Sequence, residues 1–411
     1  MLDRVLNALE SRRLPMVISL AVSAALAAFT ALRFVVLIHA MPPAQYGVFN
    51  LYTLLASLLP LFMTAGLTLQ YQRVSHFQGP GTTHALLRTS VLVTLIALVP
   101  SFAAVFLITM PIVSLPELIW VSIFLLVISA TASLTTFHSQ ILLGLNYRST
   151  SSLMMFLVNA GATFAVLPAW LEGRIAPMAL LGWWAAFSVA ITALTWWVAR
   201  SRREGREGIG GVLSWREGLL SVPSQIGPWL FVFVIRYLIG LNIDESAIAN
   251  YAIAATISDM AFLVAVSLLN YFTNRVMSGT QAPWRGILLS APLYLLLAAC
   301  GFFAVLWLLP LVGQQGYELE PPVALILIGV GLVRLYLTAW RSRALGLKKI
   351  HVSSNAYLVV IAISVLALWF WAPVYPEAYA VVTLAGFLVV AVVQRISLSP
   401  SAGRRARRSR P

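Results

Sequence analysis

The sequence is poor in charge, and poorest in negative charge. Only 10% of its 411 residues are Asp, Glu, Lys or Arg, and 13 of these are acids against 27 bases. A soluble domain carries charge on about a quarter of its residues, so a water-exposed globule is excluded. Cysteine is nearly absent. The one present, Cys300, lies in an apolar run, which excludes an intrachain disulfide and leaves no zinc or redox motif. No Gly is followed by Lys, so there is no phosphate-cradling Walker loop and the chain is not itself an ATP-driven pump. HExxH, GxSxG and Asp-x-Asp patterns are missing as well, so the chain is read as a non-enzyme with no metal and no cofactor. The alternating ten-residue signal of an outer-membrane barrel is also lacking.

What is present is apolar length. The chain is 60% hydrophobic, and a helix needs about 20 apolar residues to cross a bilayer. Runs bounded by Pro, Gly and charge predict twelve spans, near 15–38, 47–69, 89–111, 117–137, 151–171, 177–199, 219–241, 247–270, 287–310, 321–341, 353–373 and 377–397. The first is too long for a signal-peptide core and reads as a true span. The fold class is therefore an all-α polytopic membrane protein.

With both termini inside, the cytoplasmic segments hold 23 of the 27 basic residues. The external loops hold only Arg174, beside seven acids: Glu117, Glu172, Asp244, Glu245, Glu318, Glu320 and Glu377. That asymmetry predicts a multi-pass membrane protein with both termini cytoplasmic. The Arg, Glu and Gly-rich stretch 200–217 divides the spans six and six, giving lobes at 1–199 and 218–397 and a basic tail at 398–411. The tail is read as resting on anionic membrane lipid or as fixing topology, not as binding nucleic acid.

The two halves share landmarks at a nearly fixed offset. ALRFVVLI (Arg33) matches VIRYLIGL (Arg236) at 203 residues and AQYG (Tyr46) matches ANYA (Tyr251) at 205; QRVS (Arg73) matches NRVM (Arg275) at 202, as LLGLNYRSTSS from Leu142 matches ALGLKKIHVSS from Ala344. Four matches in one order predict two parallel six-helix repeats, an architecture that commonly places a substrate path between its halves.

The segment AMPPAQYGVFNLYTLLASLLPLFMTAGLTLQYQRVS, Ala40 to Ser75, with its second-half counterpart and the two LGL-plus-basic turns, resembles the polysaccharide (O-antigen type) flippase branch of the MOP exporter superfamily. The resemblance implies two six-helix lobes around a central cleft. It also implies alternating-access export of a polyprenyl-diphosphate-linked oligosaccharide across the bacterial inner membrane, with enzymes of the same glycan pathway as partners. Relatives often carry an acid near the position of Arg236, so their ion coupling does not transfer there.

Four charges fall within spans: Arg33, Arg236, Asp259 and Arg334. Each costs about 2.5–3.5 kcal/mol on insertion scales unless paired, hydrated or snorkelling. Arg33 and Arg236 lie about 7.5 Å from the external end of their spans, so two readings stand: snorkelling to headgroups, or a paired clamp on a pyrophosphate. Asp259 is too short to snorkel and lies at a depth similar to Arg334. It is read either as a structural ion pair or as an ion-coupling site with Arg334. Span 2 carries Asn50, Thr53, Ser57 and Thr64 on one face, read as helix packing or as substrate contact. Two rival classes stand beside the flippase: a multidrug exporter of the same superfamily, and a polysaccharide polymerase or ligase, which would need a large external loop where these loops are short.

Overall fold

The computed structural model describes residues 14–64, 66–78, 82–111, 114–145, 147–171, 175–201, 215–277, 279–313, 316–347 and 349–398. Most of the expected linker and the basic tail beyond Leu398 lie outside the described residues, as do Arg4, Arg12 and Arg13.

Fourteen helices and no strands occur among the described residues: α1 Leu14–Ala40, α2 Pro43–Met63, α3 Thr68–Gln78, α4 Thr83–Thr109, α5 Leu115–Gly144, α6 Arg148–Phe164, α7 Val166–Leu171, α8 Pro177–Ser201, α9 Trp215–Asn242, α10 Glu245–Met277, α11 Pro283–Val312, α12 Pro321–Gly346, α13 Ile350–Trp371 and α14 Pro376–Ser397. Twelve stretches are long and apolar enough to cross a membrane, and each overlaps one of the twelve expected spans. The protein is an all-α, multi-pass membrane protein.

Its polarity is inverted relative to a soluble globule. Leu92, Leu95, Ile96 and Val99 on α4 are exposed, as are Leu288, Leu296, Trp307 and Leu311 on α11 and Val359, Ile363, Phe370 and Trp371 on α13. Ser90, Ser122, Ser129, Thr135 and His138 are buried. Hydrocarbon outside and small polar groups inside is the arrangement that lipid favours.

Contacts divide the chain into two compact units, Met1–Met41 with Val48–Val222 and Pro42–Gly47 with Pro223–Pro411. The N-terminal unit packs Leu67 and Tyr71 of the α2–α3 region against Leu86, Leu87 and Val93 of α4, Phe137 and Ile141 of α5, and Ala199 of α8. Hydroxyl groups join its helices: Thr94 to Ser133 at 3.3 Å, Thr135 to Thr192 at 3.1 Å, Ser139 to Ser151 at 2.7 Å, and His138 Nδ1 to Thr195 at 3.0 Å.

Two expected spans are not single helices. The second ends at Met63 and resumes at Thr68, because Gly66 sits at φ +68°, a left-handed conformation that interrupts the ladder. Its repeat counterpart α10 runs unbroken for 33 residues. At an offset of 203 Gly66 falls on Leu269, a side chain that disfavours that conformation and is instead buried in the core. The fifth span breaks at Ala165 into α6 and α7 three residues before Pro168, which has no N–H to continue the ladder.

The C-terminal unit is built around α10. Ala261, Ala265 and Leu269 pack against Tyr294 and Ala298 of α11 and Leu335 and Ala339 of α12. The alanines allow close backbone approach, which is how membrane helices gain contact without a hydrophobic driving force. The Tyr294 hydroxyl donates to Ile328 O at 2.8 Å and lies 2.9 Å from the Ser258 hydroxyl. Gly331 makes room for both, since a Cβ there would collide with each of them. A second tie closes one end of the unit: Asn242 Nδ2 donates to the Tyr379 hydroxyl at 2.8 Å, which donates to Pro373 O at 3.0 Å.

Candidate functional site

The site begins with a short-stemmed charge in the middle of a helix. Asp259 lies mid-way along α10, a turn from Thr256, whose hydroxyl is spent on Ala252 O at 2.7 Å. Two arginines from flanking helices converge on it. Arg334 of α12 donates through Nη1 to Asp259 Oδ1, and Arg236 of α9 brings Nη2 to 3.7 Å from Oδ2. The side chains of Arg236 and Arg334 are 4% and 11% exposed, whereas that of Asp259 is 36% exposed, so the carboxylate is the member of the triad open to exchange. The Arg334 guanidinium also lies 4.5 Å from the Phe262 ring centroid and 5.7 Å from that of Trp229, so aromatic faces hold its outer side.

A small pocket of about 20 Å³ adjoins the triad, lined by Arg236, Tyr251, Ser258, Asp259, Arg334 and Thr383 among others. That is room for about one water or one small ion. Tyr251 and Thr383 face each other at 3.4 Å across it. On the other side of Arg334 lies a larger cavity of about 200 Å³, which Ser224, Gln225, Arg341, Ser353, Tyr357 and Gln394 help to line. Arg334 therefore forms a wall of both spaces.

The remaining expected site residues lie in the N-terminal unit. Arg33 is half-buried on α1. Asn50 and Thr53 are half-buried and Ser57 is exposed on α2; the Thr53 hydroxyl donates to Phe49 O at 3.0 Å and that of Ser57 to Thr53 O at 2.9 Å. Thr64 is buried and donates to Leu61 O at 3.0 Å. These hydroxyls thus satisfy themselves on their own helix and keep acceptor capacity only.

The repeat is not symmetric in chemistry. At offsets of 203 and 202, Asp259 falls on Ala56 or Ser57 and Arg334 on Thr131 or Ala132, so only the C-terminal unit carries the triad. Sequence reasoning passed over Arg341, which it counted with the cytoplasmic segment. The signal was available in the LGL repeat, where an offset of 202 pairs Arg341 with Ser139 and Ser353 with Ser151, two positions inside helices.

The twelve-span architecture is similar in fold to solved transporters described as belonging to the MOP superfamily. The outward-facing conformation of a multidrug resistance MATE family transporter of that superfamily superposes with a TM-score of 0.60 at 12% identity over 95% of both chains. A MATE in the bent conformation gives 0.59 at 13% identity over 98% of this chain and 96% of that one. A MOP superfamily transporter from Pyrococcus furiosus Vc1, described as having a binding pocket of reverse polarity that suggests a different function, gives 0.56 at 13% identity over 94% and 93%. At these identities the likeness is one of fold. No protein-family model and no curated protein matches the chain.

Proposed function

We propose that the protein is a flippase that exports a polyprenyl-diphosphate-linked oligosaccharide across the bacterial inner membrane. The observation that carries this reading is the sign of the charge inside the C-terminal unit: Arg236, Arg334 and Arg341 line its internal spaces with Asp259 as the one acid among the lining residues. A surplus of guanidinium groups in low dielectric suits an anionic head group and opposes a cationic drug. Arg33 on α1 is the proposed head-group contact, with Asn50, Thr53 and Ser57 offering hydroxyl and amide groups to the glycan. Arg236 holds Asp259 and becomes available to a diphosphate when Asp259 is neutralised. Asp259 and Arg334 form the proposed coupling element, the half-exposed carboxylate taking up a proton or a sodium ion as its arginines are drawn off. Partners on this reading are the enzymes that build the same lipid-linked glycan.

A multidrug exporter is the competing reading, supported by the two MATE structures that share the fold. One experiment separates them. Expressed in a strain lacking its own glycan flippase, the protein should restore surface glycan and leave susceptibility to cationic drugs unchanged. Raised drug resistance without restored glycan would establish the multidrug reading instead.

A further inference from the structure

The larger cavity of the C-terminal unit is not used by the coupling element and has a composition of its own. Arg341 enters it from α12, two turns beyond Arg334 and on the same face, since residues seven apart nearly coincide around a helix. Its guanidinium makes no ion pair with an acidic side chain among the described residues, where Asp259 takes part in both ion pairs seen. Ser353 Oγ and Gln394 Oε1, both on the cavity wall, are buried with no hydrogen-bond partner. The C-terminal unit thus sets three arginines and one aspartate around two neighbouring spaces, a surplus of two positive charges inside the unit.

The other repeat arranges the corresponding positions differently. There Ser139 and Ser151, the counterparts of Arg341 and Ser353, close on each other in a hydrogen bond of 2.7 Å. In the C-terminal unit a long cation replaces one hydroxyl, and about 200 Å³ of space lies beside it. A cavity of that size holds far more than one water, and a fork of N–H donors with no carboxylate to receive it is the chemistry of an oxyanion site.

We infer that the cavity between Arg334 and Arg341 binds a compact phosphate-like oxyanion, which competes with Asp259 for the Arg334 guanidinium. The Ser353 hydroxyl supplies a neutral donor beside the two guanidinium groups. The site lies within one unit, so it stands whether or not the flippase reading does. Because Arg334 can turn its donors either to Asp259 or to the anion, occupation of the cavity loosens the carboxylate and links the site to the coupling element. The ligand is either a free inorganic anion or the phosphate of a lipid headgroup.

The test uses the full chain purified in detergent. Radiolabelled orthophosphate in equilibrium dialysis should bind saturably, and unlabelled pyrophosphate and farnesyl diphosphate should displace it. Displacement by farnesyl diphosphate at concentrations far below those needed with pyrophosphate assigns the site to a lipid headgroup; equal potency assigns it to a free anion. Arg341→Gln should weaken binding at least tenfold, Arg341→Lys should fall between, and Asp259→Asn should tighten it several-fold by releasing Arg334. Ser353→Leu, which fills the cavity without touching a charge, should abolish binding and guards against a misfolded Arg341 variant. Absence of saturable binding in the wild type, or binding unchanged in Arg341→Gln and Ser353→Leu, would overturn the site. An unchanged affinity in Asp259→Asn would overturn the competition. Failure of glycan complementation bears on neither result.

Discussion

Asp259 is the residue on which the most chemistry converges. Arg334→Ala takes from Asp259 its hydrogen-bonded partner and leaves Arg236 at 3.7 Å, so it should lower the thermal midpoint in detergent. The double variant with Asp259→Asn should recover part of that loss, since the carboxylate that has lost its donor is then gone. On the coupling proposal Asp259→Asn alone should reach the membrane in normal amount and lose export, as read by surface glycan. Full export in that variant would leave the residue a structural role only. Glu320 gives a separate handle outside the spans, at the entrance of α12. Burial first, then the neighbouring carboxylates of Glu377 and Glu318, hold its carboxyl above the ordinary 4.5. The folded state therefore binds this proton more tightly than the unfolded chain. Its stabilising contribution is full below about pH 4.5 and is lost as pH rises through the elevated folded value. Glu320→Gln should flatten that part of the stability–pH profile and raise the midpoint near neutrality, measured by thermal unfolding in detergent.

The helices themselves differ between the repeats where backbone chemistry differs. Gly66 at φ +68° separates α2 from α3, and Gly66→Ala should cost about 1 kcal/mol. Ala372 ends α13 at φ +41° with its N–H on Leu368 O at 2.8 Å, the left-handed cap that glycine normally fills. Ala372→Gly should stabilise the protein by about 0.5 to 1 kcal/mol, read as a higher midpoint with no change in export. The twelve spans were legible because insertion into lipid depends on summed apolar length, which a linear reading recovers. The breaks at Gly66 and Ala165 were not, because a lone glycine or proline in a membrane helix is compatible with straight, kinked or interrupted backbone until its neighbours are placed. Asp259 and Arg334 could be matched by depth along two straight helices. Arg236 could not be matched that way, since counting from the outer end of its span placed it near the headgroups, whereas its side chain is directed inward to the carboxylate. Arg341 was missed because a basic residue near a helix end is read as a topology signal before it is read as a cavity wall.

For the whole molecule, orientation decides what every depth argument means. In a Cys300→Ala background, a cysteine at Asp244 should react with an impermeant thiol reagent from outside and one at Thr280 should not; the opposite pattern would invert the chain and with it the direction of export. The exposed position of Cys300 on α11 makes that replacement mild. The uneven distribution of charge between the halves also bears on assembly. A pair of identical six-helix chains would carry every cluster twice or not at all, whereas two halves of differing sequence in one chain can hold the Arg236–Asp259–Arg334 triad once, with hydroxyls at the corresponding places of the other half.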